Sequence, residues 1–136
     1  MAGAGDCLFC SVVRGDLPSH VVLEDDLSVA FLDTSPAARG HTLVVPRTHA
    51  EDLWDIDAQT AAAVMRTAHA TAGLLRERLA PDGLTLRQNN GEASGQRVAH
   101  LHLHLVPRWH GDGTVGWPWP PPVDLDLTEV LAALRP

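Results

Sequence analysis

The stretch His100-Leu101-His102-Leu103-His104-Leu105-Val106 alternates imidazole and leucine side chains. On a β-strand successive side chains point to opposite faces, so the three histidines share one face and the leucines the other. Leucines packed against a core leave the imidazoles on a surface or in a cleft, about 6.6 Å apart from one to the next. The pattern predicts a strand over residues 98–106 whose polar face carries the chemistry of the chain.

Three aligned imidazoles suit two kinds of chemistry. Neutral imidazole is a good zinc ligand, and an imidazole oriented by its neighbours can also act as a nucleophile. A third interpretation, an amphipathic strand with histidine as its ordinary polar residue, is disfavoured by the regular alternation beside Gly95-Gln96. The spacing by itself does not separate a metal site from a nucleophile.

The rest of the chain predicts an α+β domain. Asp57 can cap a long helix that Pro81-Asp82-Gly83 ends, and short apolar runs between turn residues predict antiparallel strands. The predicted elements are a short helix or turn over 6–15, strands at 21–23, 29–32, 42–45, 84–89 and 98–106, and helices at 57–79 and 127–134. We therefore expect an antiparallel sheet packed by one long helix, in a single domain spanning residues 1–136.

Composition limits the function classes. The chain has 136 residues, 45% hydrophobic and 20% charged, which is typical of one folded domain. All 10 basic residues are arginine, and 17 acidic residues give a net charge of −7. The lack of lysine excludes a Walker-type phosphate loop and a lysine Schiff base, and the acidic balance disfavours nucleic acid as a partner. With neither a membrane-spanning run nor a secretory signal, we expect a cytoplasmic protein whose Cys7 and Cys10 serve a metal or redox role.

Several segments carry a resemblance to a known family. Residues 100–106 match the histidine-triad (HIT) motif. The supporting segments are Cys7-Leu8-Phe9-Cys10, Gly15-Asp16-Leu17-Pro18-Ser19, Glu24-Asp25-Asp26, Ala30-Phe31-Leu32-Asp33, Gly40-His41-Thr42-Leu43-Val44-Val45-Pro46-Arg47-Thr48-His49, and Asn89-Asn90-Gly91 with Gly95-Gln96-Arg97-Val98. Over about residues 6–110 the chain resembles the HIT family, and it looks most like the bacterial branch allied to the nucleoside phosphoramidases. The Pro/Trp-rich residues 111–136 lie outside the resemblance.

The resemblance implies chemistry at the α-phosphate of a purine nucleotide through a covalent nucleotidyl-histidine. His102 matches the nucleophile, and the backbone carbonyl of His100 matches the group that fixes its tautomer. His104 matches a residue that stabilises charge on the phosphate. The amides Asn89 and Gln96, with the backbone at Gly95, match the remaining phosphate contacts. Arg97 stands where the family often has serine or threonine, so it either adds a cationic phosphate contact or leaves one hydroxyl donor missing.

The same resemblance assigns the nucleoside. Asp33 matches the carboxylate that accepts the ribose hydroxyls, although Asp33-Thr34-Ser35-Pro36 also has the composition of a turn. His41 matches a histidine that supports the triad. The apolar slot for the base is matched by Leu8, Phe9, Val12, Phe31 and Leu32.

The resemblance also implies a structural zinc and a homodimer. In zinc-containing relatives a Cys-x-x-Cys joins two histidines in a tetrahedral site, and the matching residues here are Cys7, Cys10, His49 and His100. His41 is the rival to His49 as third ligand. The implied mechanism needs no catalytic cofactor, and the sheet is expected to extend across a homodimer.

Three functions remain open at this point. The first is a hydrolase or transferase acting on a phosphoramidate or phosphoanhydride. The second is a diadenosine-polyphosphate hydrolase or phosphorylase, because Val106-Pro107-Arg108-Trp109 and Gly111-Asp112 resemble the segment after the triad in that branch. The third is a nucleotide-binding regulatory protein without significant turnover.

Overall fold

A five-stranded antiparallel sheet in the order β1-β2-β3-β5-β4 forms the centre of the fold. The computed structural model describes residues 7–113 and 121–135. The strands are β1 (Val21–Glu24), β2 (Ser28–Leu32), β3 (Thr42–Pro46), β4 (Gly83–Arg87) and β5 (Leu103–Arg108). The helices are α1 (Leu8–Arg14), α2 (Ala58–Leu79) and α3 (Leu127–Leu134). The α+β prediction is confirmed.

The long helix α2 packs on one face of the sheet. Its N-cap is Asp57, whose side chain accepts a hydrogen bond from the Thr60 amide, as the sequence predicted. The buried residues recur at helical spacing and meet the side chains of β2, β3 and β5 that point to this face. The buried residues of α2 are Ala63, Val64, Thr67, Ala68, Thr71 and Leu75.

The short helix α1 covers the opposite face. It ends at Gly15, whose φ of 81° is the left-handed conformation expected of a glycine cap. Phe9 and Cys10 of α1 pack against the side chains of β2 and β3 that point away from α2, which are Val29, Phe31, Leu43 and Val45. Because both faces are covered, every residue of β2 and β3 is buried.

The predicted strand over residues 98–106 is wrong at both ends, because β5 runs from Leu103 to Arg108. Its pairing with β3 covers Leu103 to Leu105 only. Continued in the same register, Leu101 would face Pro46, which has no amide hydrogen to offer a ladder. The Leu101 amide instead donates to the carbonyl of Ala50, 2.7 Å away. The first half of the histidine segment is therefore held by a loop and not by the sheet.

The C-terminal residues return to the loop between β2 and β3. The amide of Val123 donates to the carbonyl of Pro36, and the Arg39 guanidinium makes two hydrogen bonds to Glu129 on α3. The predicted helix at 127–134 is confirmed. Most of the Trp-Pro run, residues 114–120, lies outside the described residues. Among the described helices, none has the length and apolar character needed to cross a membrane.

Candidate functional site

A cleft of about 760 Å³ opens on the α1 face of the sheet, a volume in the range of small-molecule sites. It collects residues from α1, the ends of β2 and β5, the loop before β5 and the C-terminal segment. Every nucleotide-binding residue predicted from the sequence lines it, and so do His41 and His102. The predicted residues are Leu8, Phe9, Val12, Phe31, Leu32, Asp33, Asn89, Gly95, Gln96, Arg97 and His104.

The orientation of His102 is fixed by one backbone carbonyl. Its Nδ1 lies 2.7 Å from the carbonyl oxygen of His100. A carbonyl only accepts, so Nδ1 carries the ring proton and Nε2 keeps its lone pair. Phe9 packs edge-on against the ring at a centroid distance of 5.0 Å. His102 is therefore held as a neutral imidazole with one basic nitrogen.

His104 has the opposite tautomer, set by a chain of hydrogen bonds that begins at the backbone. The amide of Ala37 donates to Nδ1 of His41 at 2.9 Å, so the proton of His41 is on Nε2. This Nε2 lies 3.0 Å from Nδ1 of His104, which must accept. His104 thus carries its own proton on Nε2. The pair His102 and His104 offers one lone pair and one N–H donor.

Burial keeps these imidazoles uncharged at neutral pH. Desolvation is the main cause that lowers the pKa of His104 to about 3, and the neighbouring His102, His41 and Arg87 side chains also disfavour its protonated form. Burial also lowers the pKa of His102, against the opposing hydrogen bond to the His100 carbonyl. For His41, burial again lowers the pKa, and the carboxylate of Asp33 opposes it. The rings are therefore ready to donate and accept in fixed directions.

Asp33 forms part of the turn after β2 and also faces the cleft. Its Oδ1 accepts the amide of Ser35, which is the turn interaction that its sequence context indicated. Its Oδ2 lies 3.4 Å from Nε2 of His41. The carboxylate thus stands at the junction of the histidine chain and the part of the cleft that Phe9 and Phe31 line.

The loop before β5 brings two amides and a cation to the cleft. Gly91 and Gly95 have φ of 85° and 99°, which favour glycine and produce the tight turn around Glu92–Ser94. The Gln96 amide group is bound to this loop: Oε1 accepts the Gly91 amide, and Nε2 donates to the carbonyls of Glu51 and Val98. In this structure Gln96 shapes the loop. Arg97 is exposed and lines the cleft.

His100 lies outside the cleft, which corrects the prediction that the three imidazoles share one face. It is completely buried, and its Nε2 lies 2.8 Å from the carbonyl of Pro46. The carbonyl fixes the proton on Nε2, so Nδ1 keeps its lone pair. Nδ1 lies 3.3 Å from Sγ of Cys7 and 3.5 Å from Sγ of Cys10. The reason is the loop course of residues 98–102, which turns this ring behind His102.

Four side chains, with His100 among them, fit a zinc ion. The donor atoms of Cys7, Cys10, His49 and His100 all lie within 4.8 Å of one another. Nδ1 of His49 is 3.3 Å from Sγ of Cys10, and a tetrahedral zinc has sulfur–nitrogen separations of about 3.6 Å. Without a metal, burial is the first cause that raises the pKa of Cys10, to about 11. The Pro46 carbonyl supplies the outer hydrogen bond that zinc-bound histidine usually has.

Asp33, His41 and His104 form a second group with ligand-type donors, but its hydrogen bonds do not suit a metal. To bind through Nε2, His41 would have to carry its proton on Nδ1, where the Ala37 amide already donates. Two donors would then face each other. The backbone hydrogen bonds therefore suit N–H donation within this group and do not suit a metal. His41 belongs to this group, and the histidines beside the two cysteines are His49 and His100.

Sequence reasoning missed the groups that act through the backbone. The Ala37 amide and the Pro46 carbonyl fix two tautomers, and backbone groups leave no signature in side-chain patterns. The cleft is also lined by Leu17, Pro18 and Ser19. Their segment matched the family, but no role was predicted for these residues. Pro121 and Pro122 also line the cleft, and their proline-rich context indicated only an extended chain.

Comparisons with known proteins agree with these features. The HIT domain profile matches residues 14–111. The Protein hit of Bacillus subtilis is 41% identical over 111 residues, which are 81% of this chain and 77% of that protein. Adenosine 5'-monophosphoramidase hnt1 of Schizosaccharomyces pombe is 32% identical over 84% of this chain and 83% of its own length. The crystal structure of a Zn-bound histidine triad family protein from Mycobacterium smegmatis superposes with a TM-score of 0.88 at 39% identity, covering 98% of this chain and 93% of that one.

Acid should destabilise the protein through His104. Its folded pKa of about 3 lies below the ordinary 6.5, so the unfolded chain takes up a proton that the folded chain refuses. The stability that this group contributes is complete above pH 6.5 and is lost as the pH falls toward 3. Between about pH 7.5 and pH 5 we expect a loss of at most about 2 kcal/mol in the free energy of unfolding, reduced by water around the half-buried ring. Urea unfolding at the two pH values measures it.

The matched variant is His104→Asn, whose amide oxygen can accept from Nε2 of His41 but does not titrate. It should lose less stability than wild type over the same pH interval. An equal loss in the two proteins would contradict the assignment, since the remaining histidines and any bound metal are common to both.

Proposed function

The chain belongs to the HIT domain family, and from that premise we propose that it is a nucleotide hydrolase or transferase that acts at the α-phosphate of a purine nucleotide. The single observation that carries the proposal is the hydrogen bond from Nδ1 of His102 to the His100 carbonyl. It leaves the basic nitrogen of a neutral imidazole in a cleft of nucleotide size. The named activity of the fission-yeast relative, adenosine 5'-monophosphoramidase, is consistent with this chemistry.

We assign the first step to His102. Its Nε2 lone pair forms a bond to the α-phosphorus, and the bond from phosphorus to the leaving group breaks with its electron pair on the leaving group, which takes up a proton from solvent when it is an amine. The proton stays on Nδ1 and is donated as a hydrogen bond to the His100 carbonyl, which stabilises the cationic ring of the nucleotidyl-histidine. His104 donates its Nε2 proton as a hydrogen bond to a phosphate oxygen, where negative charge increases. This step requires no metal and no organic cofactor.

Hydrolysis then releases the nucleotide from His102. A water oxygen attacks phosphorus, the phosphorus–nitrogen bond breaks with its electron pair on Nε2, and the nucleoside monophosphate leaves after releasing a proton to solvent. Asn89, Gln96 and the Gly95 backbone are the proposed phosphate contacts of the loop. Asp33 is the proposed acceptor for the ribose hydroxyls, and the apolar residues Leu8, Phe9, Val12, Phe31 and Leu32 are the proposed slot for the base.

His102→Ala should abolish turnover while nucleotide binding remains. We expect kcat for an adenosine phosphoramidate and for diadenosine tetraphosphate to fall at least about 10³-fold, because the nucleophile is lost. The dissociation constant of adenosine monophosphate should change less than about tenfold. Assays with and without inorganic phosphate separate hydrolysis from phosphorolysis, and mass spectrometry of wild type quenched in denaturant at alkaline pH should detect a nucleotidyl adduct.

The matched control is His69→Ala on the exposed side of α2, which should keep wild-type rates. Nucleotide binding by wild type with no turnover of either substrate would favour the regulatory-protein alternative. Turnover that survives in His102→Ala would exclude His102 as the nucleophile.

We further propose that Cys7, Cys10, His49 and His100 hold a structural zinc ion. When bound, zinc would join α1 to the segment that carries the nucleophile and keep the thiols ionised. His100 would then link the two sites, because its ring faces the thiols and its carbonyl holds His102. Reduced thiols suit a reducing compartment, which agrees with the expected cytoplasmic location.

The zinc content of the protein should depend on His49 and not on His41. We expect about one zinc per chain in wild type and in His41→Ala, and well under half of that in His49→Ala, because His41 points to His104 instead. Elemental analysis of the dialysed proteins measures the ratio. Zinc lost in His41→Ala but kept in His49→Ala would reverse the ligand assignment.

We also propose a homodimer in which two copies pair through β4. This strand is at the sheet edge, and its Leu84 and Leu86 are 39% and 48% exposed. An edge strand with exposed leucines would be prone to aggregation unless another chain covers it. Antiparallel pairing of two β4 strands would continue the sheet across both copies.

Leu86→Arg should shift the protein toward monomer in sedimentation velocity, because a charge would enter the covered edge. The matched control is Leu27→Arg, whose leucine is 40% exposed at the β1–β2 turn and which should keep the wild-type mass. A monomeric wild type at micromolar concentration would contradict the dimer, and so would an equal effect of the two substitutions.

A further inference from the structure

The side-chain amide of Asn89, a proposed phosphate contact, is left unengaged by the fold. Asn89 lines the cleft and is half-buried. In the part of the chain that the structure describes, its side chain makes no hydrogen bond, although its backbone carbonyl accepts one. A donor that stabilises a transition state is effective when its direction is set in advance. For Asn89 that direction must come from the backbone that carries the side chain.

The residues on either side of Asn89 bind each other. Nε2 of Gln88 donates to Oδ1 of Asn90 at 2.8 Å, and Nδ2 of Asn90 donates to Oε1 of Gln88 at 3.0 Å. Both side chains therefore project to the same side of the backbone, and Asn89 between them projects to the other side, toward the cleft. Nε2 of Gln88 also donates to the Asn89 carbonyl at 3.0 Å. The amide pair thus closes the backbone around Asn89 into a small hydrogen-bonded ring.

Asn90 also joins this ring to the loop between β3 and α2. The amide of Leu53 donates to Oδ1 of Asn90 at 2.7 Å, so this oxygen accepts two hydrogen bonds, as its two lone pairs allow. The loop that carries Leu53 is held by bonds of its own. The Glu51 amide donates to Oδ2 of Asp55, and the Asp55 amide donates to Oδ1 of Asp52. The amide pair is therefore fixed relative to a second, internally bonded loop.

A held amide and a mobile amide differ in what they do for a reaction. A donor whose backbone is already fixed loses little freedom when it binds a phosphate oxygen, whereas a mobile donor loses more and is aligned less often. Alignment matters most in the transition state, where the donor meets developing negative charge. Loosening the backbone around Asn89 should therefore lower kcat more than it weakens binding of the nucleotide in its ground state.

We infer that Gln88 and Asn90 are positioning residues that orient the side-chain amide of Asn89 toward the phosphate of a bound nucleotide. Their role rests on the proposed function and deepens it, because neither residue is among the described residues that line the cleft. Asn89 makes the contact with the phosphate, and the pair acts on it through the backbone. A pair that held the loop for stability alone would not need Asn89 for its effect on the rate.

Double-mutant cycles with adenosine 5'-phosphoramidate as substrate test whether the pair acts through Asn89. Asn89→Ala should lower kcat/KM at least about tenfold. Asn90→Ala and Gln88→Ala should each lower it at least about fivefold, mainly in kcat. Gln88→Ala leaves the bond between Leu53 and Asn90 in place, so it isolates the amide pair. In the Asn89→Ala background, either second substitution should change kcat/KM less than about twofold, because no amide is left to orient.

The matched control is Gln59→Ala, which removes an amide at an exposed position of α2 and should keep wild-type rates. Thermal unfolding of each variant establishes that the rates belong to folded protein. Losses that multiply in the double variants would overturn the inference, because the pair would then act independently of Asn89. Wild-type rates in Asn89→Ala, or in both Gln88→Ala and Asn90→Ala, would overturn it as well. Failure of the proposed function has a different signature, namely no turnover by wild type or turnover that survives in His102→Ala.

Discussion

The backbone of His100 is the constraint on which the site depends. Its carbonyl accepts the hydrogen bond from Nδ1 of His102, while its own ring points away from the cleft and contacts Cys7 and Cys10. A single residue therefore belongs to the reactive cleft through its main chain and to the thiol cluster through its side chain. Both roles require the peptide of His100 to stay in one orientation, and the hydrogen bond from its Nε2 to the Pro46 carbonyl fixes that orientation from a third direction.

The departure of residues 98–102 from the sheet makes this arrangement possible. On a continuous strand His100, His102 and His104 would project side by side, and none of their carbonyls would be turned toward a neighbouring ring. Pro46 has no amide hydrogen for a ladder and its carbonyl accepts from the His100 ring, so the Leu101 amide donates to the loop that follows β3, at the Ala50 carbonyl. A proline in one strand thus produces the local geometry that gives His102 a defined tautomer.

The elements with strong local signals could be predicted from the sequence. The capped helix α2 and the short strands β1 to β3 follow from periodicity, and the cleft residues follow from a resemblance that spans most of the chain. The start of β5 could not be predicted, because the leucine–histidine alternation continues through Leu101 although the hydrogen bonds do not. The bonds of Gln96 and the tautomer of His41 depend on backbone groups brought together by the fold, and a side-chain pattern contains no information about them.

The two-sided burial of β2 and β3 has a consequence for how such a chain can change over time. Ala30 packs under the long helix, whereas Phe31, which follows it in the sequence, packs with Phe9 on the side that holds the cleft. Adjacent residues of one strand are thus constrained by different requirements. The residue under the helix must keep the core stable, and the residue on the cleft side must fit the ligand. The chemistry of such a protein can diversify by substitution at every second position while the scaffold beneath it is inherited unchanged.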